Sequence, residues 1–120
     1  MCENCCKCKQ EQPAPVRAVN SVEVLPSVLG DIALSQGVEV PHSLGERLQK
    51  ILSERAEMGK VKYGTYLTTH NGRDCIRDFC EELYDGLFYI KQADMEGCVS
   101  KKEYIAIHSK LLEILSILEG

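Results

Sequence analysis

The 120-residue chain has no tryptophan, and aromatic residues make up only 6% of it. It also lacks a basic excess. Fourteen Lys and Arg stand against eighteen Asp and Glu, a formal net charge of −4. Sequence-independent binding to nucleic-acid phosphates needs a basic patch, so a mildly acidic chain makes a poor general nucleic-acid binder and no nucleic-acid polymer is expected as a partner. No apolar run approaches the length of a membrane span. The N-terminal Met-Cys-Glu-Asn-Cys-Cys has neither the basic start nor the apolar stretch of a secretory signal. The expectation is a soluble, cytoplasmic protein. No β-hairpin signal, internal repeat or low-complexity tract stands out.

Cysteine, by contrast, is abundant. There are seven, four of them in the first eight residues (Cys2, Cys5, Cys6 and Cys8), and the others are Cys75, Cys80 and Cys98. An odd number without a secretion signal argues against a disulfide framework. The length suggests one domain with a modest core, and many chains of this size make up the deficit by oligomerising.

Residues 1–20 combine clustered Cys, Lys and Gln with Pro13 and Pro15 and show no apolar period. A flexible tail is expected there, followed by a helical domain over 21–120. "SVLGDIALSQG" predicts a short helix from near Ser27, stopped by Gly37. In "HSLGERLQKILSERAEMGK", Ser43 and Glu46 have the S-x-x-E spacing of a capping box. Leu44, Leu48, Ile51, Leu52 and Met58 follow at helical spacing as a buried stripe. Asn71-Gly72 marks a turn. A second long helix is predicted from about Asp74 to about Asp94, with Ile76, Phe79, Cys80, Leu83, Leu87 and Ile90 as its stripe and Gly97 as its stop. Ser100 and Glu103 form another capping box and open a third long helix. Tyr104, Ile105, Ile107, His108, Leu111, Leu112, Ile114, Leu115, Ile117 and Leu118 cover more than one face of it. A helix so apolar is buried on two sides, and three or four helices in one subunit do not supply that cover. The fold class is therefore all-α: a bundle of three long helices with a short N-terminal one, forming a homo-oligomer through the C-terminal helix.

Within these helices the acids are paired. Glu54 and Glu57 form an E-x-x-E, and Glu82 and Asp85 form an E-x-x-D preceded by Glu81. Residues at i and i+3 share one side of a helix, and like charges so placed repel. Such pairs have two readings. They are a solvated acidic face, joined by Asp74 and Asp78, or they are hard oxygen ligands suited to Mg²⁺ or Mn²⁺. A carboxylate-held Mg²⁺ fills its shell with water and phosphate oxygens, which points to a nucleotide or pyrophosphate substrate.

The ordered set of E-x-x-E, a gap of 24 residues and E-x-x-D within "EELYDGLFYI" resembles the all-α NTP pyrophosphohydrolase superfamily, the MazG-like group. "ERAEMGKVKYGTYL", "NGRD" and "EELYD" are more particularly similar to small phage and bacterial members, and the resemblance covers residues 44–94. The first acidic pair departs from the pattern, since the family's E-x-x-E helices often carry further glutamates. The resemblance implies that Glu54, Glu57, Glu82 and Asp85 bind Mg²⁺ or Mn²⁺. It implies hydrolysis of an NTP or dNTP to the monophosphate and pyrophosphate. Glu82 and Glu81 are then the catalytic candidates, with Glu81 a supporting acceptor or general base unless it is a plain solvated acid.

Phosphates need cations. Lys62 and Arg73 are the phosphate-binding candidates, Arg73 because it lies where a helix N-terminus favours anions. For Lys60 and Arg77 a surface or ion-pairing role is preferred. Asn71 is a third substrate-binding candidate, although a turn or N-cap role fits it better. Tyr63, Tyr84 and Tyr89 suit packing more than base stacking. The four N-terminal thiols offer a tetrahedral Zn²⁺ shell at Cys2, Cys5, Cys6 and Cys8, but ligands crowded into seven residues fit a thiol-rich tail better. His42, His70 and His108 are isolated, and His108 reads as a packed residue. The rival functions are a non-catalytic nucleotide-binding bundle and a helical interaction module with a zinc-binding tail.

Overall fold

The computed structural model describes residues 12–119. It is all-helical: four helices, 68% helix and no strand among the described residues. They are α1 (Leu25–Ser35), α2 (His42–Tyr63), α3 (Cys75–Met95) and α4 (Lys101–Glu119). The short helix and the three long ones thus appear in the expected order. None is long and apolar enough to cross a membrane. The chain divides into two compact units. One is Ala14–Gly72; the other is formed by Arg73 onward with Gln12 and Pro13.

In the first unit α1 packs on α2. Pro26 occupies the first turn of α1, where its missing N–H costs nothing, so the helix starts two residues before Ser27. Gly37 follows the helix end at φ 78°, in the left-handed region expected of it. The capping box expected at Ser43 and Glu46 does not form. Pro41 holds the N-cap position at φ −58°, its carbonyl accepts from Gly45 N at 2.9 Å, and α2 starts at His42. Ser43 therefore lies one residue inside the first turn and cannot cap it. Gly64, at φ 81°, ends α2, and Lys60 and Lys62 sit in its last turn, near the negative end of the helix dipole.

The segments flanking the two helices pair with each other. Val24 N donates to Leu67 O at 3.0 Å, Thr69 N to Val22 O at 2.8 Å and Val16 N to Asn71 O at 2.9 Å. A side-chain bond from Gln49 Nε2 to Leu29 O, 2.8 Å, ties α2 to α1. Thr68 and Asn71 are buried, yet among the described residues no apolar side chain of this unit is. Ile51 and Met58, expected in the buried stripe of α2, are 49% and 60% exposed. A single partner helix as short as α1 covers only part of a 22-residue helix.

The second unit is an antiparallel hairpin of α3 and α4. Asp74 caps α3, its carboxylate accepting from Arg77 N at 3.0 Å. Gly97, at φ 74°, turns the chain after Met95. The Ser100–Glu103 box closes in both directions: Ser100 Oγ accepts from Glu103 N at 3.0 Å, and Glu103 Oε1 accepts from Ser100 N at 2.8 Å. These bonds hold the Glu103 carboxyl below its ordinary pKa, the backbone bond from Ser100 first.

Near the turn, Lys101 Nζ reaches Asp94 Oδ1 at 2.8 Å and Lys91 Nζ reaches Asp94 Oδ2 at 3.1 Å. Both ammonium groups also lie over the Tyr104 ring, Lys91 Nζ 4.9 Å and Lys101 Nζ 5.4 Å from its centroid. His108 stacks on Tyr104 with centroids 5.3 Å apart, in keeping with a packed rather than ligating role. Cys80 and Leu83 are the buried apolar residues of the hairpin, with Leu87 and Ile90 half-buried behind them. Ile76 and Phe79, at the start of the expected stripe, are 50% and 46% exposed. On α4, Tyr104, His108, Leu111, Ile114, Leu115 and Leu118 are half-buried, whereas Ile105, Ile107, Leu112 and Ile117 stay exposed. Within the chain α4 is thus covered on one side.

Candidate functional site

The E-x-x-E lies in α2 and the E-x-x-D in α3, so each pair is held one helical turn apart on a regular scaffold. Glu54, Glu57, Glu81, Glu82 and Asp85 are all exposed. Their partners differ. Glu57 Oε1 accepts a hydrogen bond from the Tyr66 hydroxyl. Glu81 Oε2 accepts from Arg77 Nε at 3.3 Å, an i,i+4 ion pair. Glu54, Glu82 and Asp85 have no side-chain hydrogen bond or ion pair among the described residues. The repulsion within the Glu82–Asp85 pair is therefore not offset by a cation on the same helix.

These residues supply carboxylate oxygen alone, the donor chemistry of Mg²⁺ and Mn²⁺. Among the described residues, no three of His, Cys, Asp and Glu gather into a metal-holding group. Mg²⁺ does not require one, since it is usually bound through one or two carboxylates, with water and substrate phosphates completing the octahedron. The Glu82–Asp85 pair fits that requirement. Cys2, Cys5, Cys6 and Cys8, the candidate Zn²⁺ ligands, lie outside the described residues. Cys75, Cys80 and Cys98 are free thiols.

The three substrate-binding candidates have distinct environments. Lys62 is exposed at the end of α2, with Nζ 5.2 Å from the Tyr63 ring centroid and no anionic partner among the described residues. Arg73 is engaged on every side of its guanidinium. Nε and Nη2 form a fork with Asp78 at 2.9 and 2.7 Å, and Nη1 donates to Pro13 O at 2.8 Å. Asn71 is buried and accepts from Val16 N, while Gly72 at φ 84° carries the turn. The N-cap role falls to Asp74 instead. Lys60, read as a surface cation, lies over the Tyr66 ring with Nζ 4.7 Å from the centroid. Tyr84 donates its hydroxyl to Glu119 Oε2 at 2.5 Å, a packing role within the hairpin.

The hydrogen bonds of Arg73 hold the Asp78 carboxyl below its ordinary 3.8, with smaller help from Gln12. An Asp depressed in the folded state stabilises the fold above its unfolded pKa, and that contribution disappears as pH falls through the folded value. Asp78→Asn should therefore lower the urea midpoint at neutral pH. The gap to wild type should close as pH falls below about 4, where the unfolded carboxylate protonates. Urea titrations at several acidic and neutral pH values test this, and a gap independent of pH would contradict it.

Two features were not anticipated in the sequence: the Tyr66–Glu57 contact and the double lysine clamp on Asp94. Tyr66 is nine residues beyond Glu57, outside any helical spacing. It returns to the helix because Gly64 reverses the chain in the left-handed region. An αL glycine ending an acid-bearing helix was the available signal. An open groove of about 460 Å³ lies on α4, lined by Ser109, Leu112, Glu113, Ser116 and Ile117, and it contains none of the candidate acids.

Comparison with protein-family models, with curated proteins and with solved structures gives no match.

Proposed function

We propose that the chain is a Mg²⁺-dependent nucleoside triphosphate pyrophosphohydrolase, cleaving an NTP or dNTP to the monophosphate and pyrophosphate. The observation that carries this is the ordered acid set, E-x-x-E on α2 and E-x-x-D on α3. All four acids are exposed, and three of them have no partner among the described residues, in a chain with fourteen Lys and Arg. A solvated acidic face needs no such order and gains from neighbouring cations. The sequence resemblance to MazG-like proteins supports the same chemistry.

Each acidic pair, Glu54 with Glu57 on α2 and Glu82 with Asp85 on α3, would bind Mg²⁺ through its carboxylate oxygens. When bound, Mg²⁺ supplies positive charge to phosphoryl oxygens that gain charge in the transition state. Water adds across the α–β phosphoanhydride; its oxygen bonds to phosphorus and pyrophosphate leaves. Glu81 is the general-base candidate, because its ion pair uses only Oε2 and leaves Oε1 to take the proton. Lys62 would meet the phosphates, while Arg73, committed to Asp78 and Pro13, fixes the entry to α3. Pyrophosphate release from a panel of NTPs and dNTPs, with Mg²⁺ or with EDTA, tests the proposal. Release that persists in EDTA, or none on any substrate by folded protein, would reject it.

The same proposal includes a homo-oligomer. Its support is the exposed side of α4, where Ile105 is 56% and Ile117 80% exposed. Ile107 and Leu112 are exposed on the same helix, and a second copy of the chain would cover such apolar side chains. Sedimentation at micromolar concentration should give a mass that is a multiple of 13.4 kDa. A single species at the monomer mass would remove this part of the proposal.

A further inference from the structure

Glu57 is the one member of the two acidic pairs whose carboxylate is held by another side chain among the described residues. The Tyr66 hydroxyl donates to Oε1, and no partner falls on Oε2. The tyrosine is itself fixed from both ends. Its ring lies under Lys60, and the next residue, Leu67, accepts from Val24 N at 3.0 Å in the paired flanking segments. Its approach depends on Gly64, whose φ of 81° turns the chain back along α2.

A carboxylate with one oxygen held has lost most of the rotamer freedom that an exposed glutamate would otherwise lose on binding an ion. Metal-ligating carboxylates are commonly oriented in this way by a hydrogen bond from outside the ligand set. Building on the metal assignment above, we infer that Tyr66 is a positioning residue for Glu57: its hydroxyl fixes Oε1 and leaves Oε2 as the ligand atom. Lys60 serves this arrangement by packing on the ring rather than by touching phosphate.

The test is Mn²⁺ binding to the full chain without nucleotide, followed by the electron paramagnetic resonance signal of free Mn²⁺. Wild type, Tyr66→Phe, Glu57→Gln and the double variant are compared. Phenylalanine keeps the ring and the Lys60 contact and removes only the donor. Tyr66→Phe should weaken Mn²⁺ binding by about 10-fold. In the Glu57→Gln background the same exchange should change nothing further, because the hydroxyl acts through that carboxylate. A merely structural role would instead lower the melting temperature and leave the Mn²⁺ Kd unmoved. If Glu57→Gln weakens binding and Tyr66→Phe does not, or if the two losses simply add, the positioning role is overturned while the metal assignment stands. If wild type binds no Mn²⁺, or Glu57→Gln binds as wild type does, the assignment of Glu57 as a ligand falls, and the role of Tyr66 falls with it.

Discussion

Replacing Glu82 with glutamine is expected to lower Mg²⁺-dependent pyrophosphate release by about 100-fold or more, since loss of a supporting partner alone already costs 10- to 100-fold at metal sites. The exchange keeps the shape of the side chain and removes its charge. Glu82 is exposed and has no partner among the described residues, so folding should be nearly unaffected, within about 0.5 kcal/mol. That separation makes the variant decisive. An acid that only solvates α3 would change neither turnover nor stability, whereas a ligand changes turnover alone. Steady-state rates at saturating Mg²⁺, with urea melts on the same samples, distinguish the two. Equal rates for wild type and variant would remove Glu82 from the site.

The largest loss of stability is expected at Leu83. With Cys80 it is one of two buried apolar residues in the described part of the chain, at 9% exposure. It sits one residue after Glu82, on the side of α3 that packs against α4. Leu→Ala in a core costs about 2–5 kcal/mol, and the spread reflects how far the surroundings relax into the space. Here the flanking Leu87 and Ile90 are only half-buried and free to shift, so the lower end, about 2–3 kcal/mol, is expected. Phe88 on the same helix is 75% exposed, and Phe88→Ala should stay within about 0.5 kcal/mol. Urea midpoints at unchanged slope measure both. If the two variants lose the same stability, the hairpin core is not where the structure places it.

The helices were legible in the sequence where local chemistry and apolar period agreed. Asp74 caps α3 and Gly97 follows it, and Ser100 and Glu103 close their box as their spacing predicts. These are interactions over three or four residues, which a sequence carries completely. Ser43 and Glu46 have the same spacing, yet no box forms, because Pro41 two residues upstream starts the helix first. A motif's spacing was present there, and a neighbouring residue with fixed φ displaced it.

Burial was less legible. Period places Ile51 and Met58 on the apolar stripe of α2, but how much of that stripe is covered depends on the length of the partner helix. The candidate site shows the same division. That the acids fall in pairs one turn apart on two regular helices follows from spacing alone. That Arg73 is consumed by Asp78 and Pro13, and that Tyr66 reaches Glu57, follows from backbone turns at Gly72 and Gly64. Such turns bring together residues whose separation in sequence says nothing of their distance.

The measurement that tests the central claim most directly is phosphorus NMR of wild-type protein incubated with Mg²⁺ and a mixture of NTPs and dNTPs. Equal amounts of nucleoside monophosphate and pyrophosphate are expected from at least one substrate, and none when EDTA replaces Mg²⁺. Diphosphate with orthophosphate, or an unchanged mixture from folded protein, would contradict it.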